Sequence, residues 1–211
     1  MKVMLVDDHA VVRMGFKLLL QASDDIEVVA EADSGEAACQ MVEAEGPDVV
    51  VMDIAMAGMG GIEAIKRLLA KNPRLKILAL SAHEDTSHPK RALQAGALGY
   101  LSKRSAPEVL IDAIRTIAKG QRYLDAQIAQ RIAVQDISGD KGPMEKLSAR
   151  EFEVFVQLAR GQSVTQISEA LNLSSSTVGT HLYNVKQKLG LANQAEMTLL
   201  AMRHGLINLA G

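Results

Sequence analysis

A single cysteine among 211 residues excludes a disulfide within the chain. A chain without such staples must hold its fold by packing, and its redox compartment is expected to be reducing. Cys39 itself lies in the helix-like stretch Glu36 to Glu45, beside Ala37, Ala38 and Met41, where a small buried apolar thiol is the ordinary reading. Long hydrophobic runs are also missing. Four apolar residues follow Lys2 before Asp7 and Asp8 interrupt, far short of a signal sequence or a membrane span, so the expectation is a soluble, cytoplasmic chain with no membrane partner. Neither sign of charge prevails: 23 Lys and Arg face 25 Asp and Glu, a formal charge of −2 that argues against bulk electrostatic capture of nucleic acid. No phosphate-binding or dinucleotide-binding glycine signature occurs, which removes the commonest nucleotide-dependent enzymes from consideration.

What is present is a hydrophobic fraction of 48%, enough for packed cores at a length that suits two small domains. Charge is mildly segregated. Residues 1–120 hold 14 basic and 17 acidic side chains, residues 121–144 three of each, and residues 145–211 six and five; in the last of these, Lys186, Lys188 and Arg203 face only Glu196 beyond residue 174.

From Lys2 to Gly120 short apolar runs alternate with amphipathic stretches, the pattern of βα units on a parallel sheet. Five strands are predicted, at Val3–Val6, Val28–Ala32, Val49–Met52, Ile77–Leu80 and Tyr100–Leu101. The nearly continuous apolar character of the middle three suits strands covered on both faces. Helices are predicted near 11–22, 35–45, 61–71, 89–95 and 106–119, the last with Val109, Leu110, Ala113, Ile114, Ile117 and Ala118 on one stripe and Gly120 to end it. The expected fold is therefore a five-stranded, doubly wound α/β domain over residues 1–120. A linker over 121–144 follows, with a helical piece from Ala126 to Val134 and a turn-rich run from Ser138 to Pro143. Residues 145–211 show no strand pattern and read as a small all-α domain. Ser148 to Glu151 forms a capping box ahead of a helix to about Arg160, and Ser163 to Gln166 opens a second of about eight residues. After a short turn at Asn172 to Ser174, a longer helix runs from Ser175 to Leu189 and a last one from about Ala195 to His204.

Doubly wound sheets bind ligands outside the carboxyl ends of their strands, so the polar residues there are the candidates. Asp7 and Asp8 follow the first strand, Asp53 ends the third, Ser81 ends the fourth and Lys103 follows the fifth. One such aspartate is ordinarily a cap or a turn residue; five polar residues at five strand ends form a set. Three converging carboxylates repel one another unless a hard divalent cation such as Mg²⁺ neutralises them. A lysine and a hydroxyl on the same rim supply the charge and the donor that a transferring phosphoryl group needs.

The segments Val6-Asp-Asp-His9, Val51-Met-Asp53, Leu80-Ser-Ala82 and Ala95-Gly-Ala-Leu-Gly-Tyr-Leu-Ser-Lys103 resemble the receiver domain of bacterial two-component response regulators over residues 2–120. That resemblance implies a flavodoxin-like fold and makes Asp53 the phosphoacceptor. It assigns Asp7, Asp8, Asp53 and the carbonyl of Ala55 to Mg²⁺, Ser81 and Lys103 to the phosphoryl oxygens, and Tyr100 to the switch. Partial burial with a wet hydroxyl is the plainer alternative for Tyr100. Two departures stand out. Met56-Ala57 replaces the usual Met-Pro after the acceptor strand, which leaves the stiffness of that loop open, and Pro89 predicts a late start for the fourth helix.

In the C-terminal domain, Leu147-Ser-Ala-Arg-Glu151, Leu158-Ala-Arg-Gly161, Ile167-Ser-Glu-Ala-Leu171, Thr177-Val178, His181 and Lys188-Leu189 resemble the LuxR/FixJ (NarL-type) helix-turn-helix over residues 145–209. On that reading Val178, Leu182, Val185 and Leu189 turn inward from the recognition helix. Ser176, Thr177, Gly179, Thr180, Tyr183, Lys186 and Lys188 are left as DNA contacts, with Thr180 and Tyr183 on base edges and the lysines on phosphates; a solvated face is the plainer alternative for the lysines. Gly179 and Tyr183 stand where some relatives carry lysine, which implies weak binding by a monomer. Leu199, Leu200 and Met202 of the last helix are either a dimer surface or core. Gly120-Gln-Arg-Tyr123, Ile128-Ala-Gln130 and Arg203-His-Gly-Leu206 resemble the GacA/UvrY-type subgroup, from which Thr177 to Tyr183 departs.

The resemblance implies a transcriptional regulator phosphorylated on Asp53 by a sensor histidine kinase and binding two DNA half-sites as a homodimer. It is not an enzyme beyond assisting its own phosphotransfer and dephosphorylation. A phosphorylation-independent regulator with the receiver as a dimerisation unit is the alternative. A haloacid-dehalogenase-like phosphatase would need a second carboxylate two residues after Asp53, where Ala55 stands.

Overall fold

The computed structural model describes residues 1–82, 87–137, 143–204 and 206–207. In the first part of the chain, apolar runs become strands and the stretches with helical periodicity become helices, in the order β1 (Lys2–Val6), α1 (Ala10–Gln21), β2 (Glu27–Ala32), α2 (Gly35–Glu45), β3 (Val49–Asp53), α3 (Gly61–Lys71), β4 (Lys76–Ser81), α4 (Ser87–Gln94), β5 (Gly99–Ser102) and α5 (Pro107–Ala118). Pairing is parallel throughout, in the order β2-β1-β3-β4-β5. The order reverses between β1 and β3, which opens a crevice at their carboxyl ends. Every residue of β3 is buried, as are Val3–Val6 of β1 and Ile77–Ser81 of β4, the both-faces burial that their unbroken apolar sequence requires. The core on one side of the sheet joins Val3, Leu5, Val51, Leu78 and Leu101 to Leu110, Ile114 and Ile117 of α5.

The sheet has six strands where the sequence pattern predicts five. After α5, the pair Tyr123–Leu124 forms β6 and adds parallel to β5, with Gly99 opposite Tyr123 and Tyr100 opposite Leu124. Two residues are too short for a period-2 pattern to register. Gly99 makes the approach possible, since a Cβ there would lie 2.5 Å from the Tyr123 carbonyl oxygen. The fourth helix also differs from expectation: it begins at Ser87, ahead of Pro89, so the proline sits inside the first turn where its missing N–H has no partner to lose.

Helix α6 (Ala126–Ile137) follows, with Asp125 Oδ1 accepting from the N–H groups of Gln127 and Ile128 at its start. The turn-rich run from Ser138 to Gly142 lies outside the described residues. The chain divides into two compact units, the first made of Met1–Ala82 and His88–Ala129, the second continuing from Gln130.

In the second unit a 3-10 turn (Pro143–Lys146) leads to α7 (Ala149–Ala159), α8 (Val164–Leu171), α9 (Ser175–Leu189) and α10 (Gln194–Arg203). The predicted capping box of Ser148 with Glu151 forms, and Ser163 with Gln166 makes a second at the predicted helix start, each satisfying two otherwise orphaned N–H groups. Asn172 ends α8 in the left-handed region (φ 51°), and Ser174 caps α9 two residues later. The core brings together Phe152 and Phe155 of α7, Ile167 of α8, Val178 and Val185 of α9, and Met197 and Ala201 of α10.

Candidate functional site

The strand register sets the site. Val6 lies opposite Met52, so Asp7 and Asp53 emerge side by side at the reversal of strand order; Ser81 lies opposite Ser102, so Lys103 emerges on the same rim. Asp7 and Asp53 are buried, at 3% and 0% exposure, while Asp8 is exposed. Lys103 Nζ bridges them, 2.7 Å from Asp53 Oδ2 and 2.6 Å from Asp7 Oδ2. The other Asp53 oxygen accepts from the Ala55 N–H at 3.0 Å. Asp7, Asp8 and Asp53 therefore converge as expected, and Lys103 with them; Ser81 is buried at the end of β4, and its backbone oxygen accepts from the Lys103 N–H.

Burial drives the Asp53 carboxyl above the ordinary carboxylate range, and the opposing pull of Lys103 and of the Ala55 N–H does not bring it back. The Lys103 ammonium is also raised: burial lowers it, but Asp53 and Asp7 together outweigh that. These are not the directions of a simple ion pair, in which the carboxyl would fall. One lysine is shared by two buried carboxylates, and Asp53 is left under-compensated.

Ligand atoms of Asp7, Asp8, His9 and Asp53 all lie within 4.8 Å of one another, so this acidic cluster could hold a metal ion. The oxygens suit a hard cation. Asp7 Oδ2 is buried and has the Lys103 ammonium, 2.6 Å away, as its partner among the described residues, which leaves it lone-pair capacity for a ligand. Sequence reasoning assigns His9 no role, yet its Nδ1 lies 2.7 Å from Asp8 Oδ1 and its backbone N–H donates to Asp7 Oδ1. The only sequence signal is its place directly after the two aspartates.

The loop from Ile54 to Gly60 carries Ala55. Two of its N–H groups reach carboxylates outside it. The Ala57 N–H, which a proline would lack, donates to Asp8 Oδ2 at 3.3 Å, and the Met59 N–H donates to Glu36 Oε1 at 2.8 Å. At the end of the loop, a Cβ on Gly61 would lie 2.0 Å from the Asp53 carbonyl oxygen, so α3 can start this close to the acceptor strand only with glycine there. Neither Glu36 nor Gly61 stands out in sequence, because their importance lies in approaches between elements distant along the chain. Tyr100 is fully buried, so the alternative of a wet hydroxyl does not apply to it.

On α9, Val178 and Val185 are buried, and Leu182 and Leu189 pack against the same core, as the helical spacing predicts. Ser176, Thr180 and Tyr183 are exposed, Tyr183 at 63%, with Thr177 and Gly179 half-buried between them. Thr180 Oγ1 donates back to the Ser176 carbonyl, and Thr177 Oγ1 shares a hydrogen bond with Ser174 Oγ. Both lysines have partners within this unit. Lys186 Nζ donates to the Ala192 carbonyl at 2.9 Å, and Lys188 Nζ lies 2.5 Å from Glu151 Oε2, tying α9 to the capping box of α7. Burial raises the Glu151 carboxyl, but Lys188 and the donors of Ser148 outweigh it and hold it below the ordinary range. On α10, Leu200 joins the core while Leu199 stays 55% exposed.

Comparison with known proteins agrees with this geometry. Residues 3–115 match the response regulator receiver domain and residues 145–201 match the bacterial regulatory proteins of the luxR family. The chain is 42% identical to Response regulator UvrY of Escherichia coli O6:H1, over 98% of this chain and 95% of that one. It is 39% identical to Response regulator GacA of Pseudomonas syringae pv. syringae, over 98% of each. Among solved structures, RcsB of Salmonella enterica serovar Typhimurium, bound to promoter rprA in the presence of the phosphomimetic BeF3-, superimposes with a TM-score of 0.71 at 26% identity, over 95% of this chain and 97% of that one. A buried acidic crevice at the switch point of a parallel sheet, followed by a four-helix unit with an exposed polar face on its third helix, places the chain in the response regulator family, with a receiver domain and a LuxR-type DNA-binding domain.

Proposed function

We propose that the chain is a phosphorylation-dependent transcriptional regulator in which Asp53 accepts a phosphoryl group from a sensor histidine kinase. The observation that carries this reading is the convergence of Asp7, Asp8, Asp53 and Lys103 at the switch point, with the Asp53 carboxylate buried and under-compensated. In the transfer, an Asp53 oxygen attacks phosphorus, the phosphorus–nitrogen bond to the kinase imidazole breaks, and the nitrogen leaves with the bonding electron pair. Asp7, Asp8, Asp53 and the Ala55 carbonyl would hold Mg²⁺, which when bound neutralises charge on the phosphoryl oxygens. Lys103 is the fixed cation of the site, and Ser81 the hydroxyl beside it. The same residues support later hydrolysis of the acyl phosphate. Tyr100, on β5, is the aromatic whose position is biased by the new dianion.

The output is DNA binding through α9. Ser176, Thr177, Gly179, Thr180 and Tyr183 face the major groove, and the N–H groups at the start of α9 meet a phosphate. Lys186 and Lys188 join phosphate contacts only by giving up the partners they have here. Few free cations mean weak binding by one copy, which favours a homodimer on two half-sites, with exposed Leu199 of α10 available for pairing. A cytoplasmic setting fits the lone cysteine and the absence, among described residues, of any helix long and apolar enough to cross a membrane.

The test is to incubate the purified chain with acetyl phosphate and Mg²⁺ and measure both phosphoprotein and binding to genomic DNA fragments. The expected result is Mg²⁺-dependent phosphorylation, absent in D53N, with tighter DNA binding by the phosphorylated form. Equal DNA binding by wild type and D53N under all conditions would replace this reading by a phosphorylation-independent regulator with a receiver used for dimerisation.

A further inference from the structure

The loop that follows Asp53 must hold two groups in place at once: the Ala55 N–H, which donates to Asp53 Oδ1, and the Ala55 carbonyl, which belongs to the proposed Mg²⁺ site. It has little stiffness of its own. Gly58 and Gly60 both adopt φ of 71°, and Ala57 leaves φ unrestrained where a proline would fix it. Two carboxylates outside the loop accept from its N–H groups. Asp8 accepts from Ala57, but at 3.3 Å and from an exposed position, and Asp8 is itself a cation-facing residue whose oxygens are wanted elsewhere. Glu36 accepts from Met59 at 2.8 Å and lies outside the acidic cluster.

Glu36 is well placed to act as a fixed point. It sits in the first turn of α2, where Ser34 caps the helix by accepting from Ala37. The helix start is docked tightly: a Cβ on Gly35 would lie 2.8 Å from Ala64 Cβ on α3, 3.5 Å from Met59 Sδ and 3.6 Å from the Gly60 oxygen. Both Glu36 oxygens also lie over Gly58, 3.0 and 3.2 Å from where its Cβ would be, so the carboxylate lies across the tip of the loop and a side chain there would press on it.

We propose that Glu36 is a positioning residue for phosphoryl transfer, holding the Ile54–Gly60 loop through Met59 so that Ala55 is kept in place for the cation and for Asp53. The role rests on the reading of Asp53 as a Mg²⁺-dependent phosphoacceptor. Glu36 touches neither the phosphoryl group nor the cation; it acts through the backbone, in the place where a proline would otherwise act within the loop.

Three full-length proteins decide it: wild type, E36A, which loses the acceptor, and E36Q, which keeps an oxygen that can accept from Met59. Amide hydrogen exchange in Mg²⁺-free buffer reads the loop, with the β4 amides as the control for folding, and calorimetric titration with MgCl2 reads the site. In E36A the Met59 amide is expected to exchange about tenfold faster, as loss of a charge-assisted hydrogen bond implies. Mg²⁺ affinity is expected to fall several-fold, roughly the same order, with β4 protection unchanged. E36Q is expected to recover most of both. An E36A protein with wild-type Mg²⁺ affinity overturns the proposal, whether or not Met59 is loosened, as does an E36Q protein no better than E36A. A wild-type chain that binds no Mg²⁺ at millimolar concentration overturns the reading of the site itself, and is distinguished from the other failures by needing no variant.

Discussion

Both units hold a buried carboxylate against a lysine, Glu151 with Lys188 in one and Asp53 with Lys103 in the other, and the two behave in opposite ways. Glu151 has Lys188 to itself and receives two further donors from Ser148, so its carboxyl lies below the ordinary range despite burial. Asp53 is more deeply buried, shares Lys103 with Asp7, and lies above the ordinary range. The first arrangement is what a structural pair looks like when its charges are satisfied. The second leaves an acid short of positive charge at a crevice, which is the condition a cation and a phosphoryl transfer would relieve.

The largest effect separating the two is functional. D53N should abolish phosphorylation by acetyl phosphate, at least ~100-fold below wild type by phosphoprotein gel, because an amide oxygen is a poor nucleophile for phosphorus. E151Q should leave phosphorylation unchanged.

The next effect concerns the backbone around Asp53. Gly61→Ala places a Cβ into the Asp53 carbonyl, and relief requires moving α3 or the acceptor strand. A cost of about 3 kcal/mol or more is expected, read by chemical denaturation as loss of the receiver transition alone.

Opposite signs of stability then sharpen the contrast. A carboxyl lowered in the folded state stabilises above its unfolded pKa and loses that contribution as pH falls through the folded value. E151Q should therefore cost ~1–2 kcal/mol in the second unit at neutral pH, narrowing under acid conditions. A carboxyl raised in the folded state does the reverse, since the folded chain binds more protons in the window between the two values and stability falls as pH rises through it. In Mg²⁺-free buffer D53N should melt above wild type once pH exceeds the raised value, with the gap closing toward the ordinary carboxylate range. Equal signs for the two variants by calorimetry would break the comparison.

The smallest effects lie on α9. Tyr183→Ala should weaken DNA binding about tenfold through loss of a groove contact, while K188A should change the log–log salt slope by less than about 0.9, the contribution of one phosphate. A larger slope change would mean that Lys188 exchanges Glu151 for DNA.

Legibility in the sequence followed the range of the interactions. Capping boxes at Ser148 and Ser163, the stripe of α5 and the inward face of α9 are local patterns, and each reads directly from residues a few positions apart. Asp7, Asp8, Asp53, Ser81 and Lys103 were readable for another reason: parallel strands force their carboxyl ends to one rim, so strand-end polarity alone brings them together. What escaped was side chain to distant backbone. Glu36 reaches Met59 across 23 residues and Gly61 reaches Asp53 through space, and nothing in composition or spacing marks either. The partners of the α9 lysines escaped for a related reason, since helical geometry predicts which face they occupy but not that Glu151, 37 positions from Lys188, lies beside it.

The short strand β6 has a consequence for handling the protein. With Tyr123–Leu124 hydrogen-bonded to Gly99–Tyr100, the rim of the sheet beyond β4 ends on two residues instead of four. A receiver truncated at Gly120 would expose the unpaired N–H and C=O groups of β5 as a template for another chain. The residues just past the expected domain end thus cover part of the β5 edge, and a fragment meant to keep that edge paired should retain them.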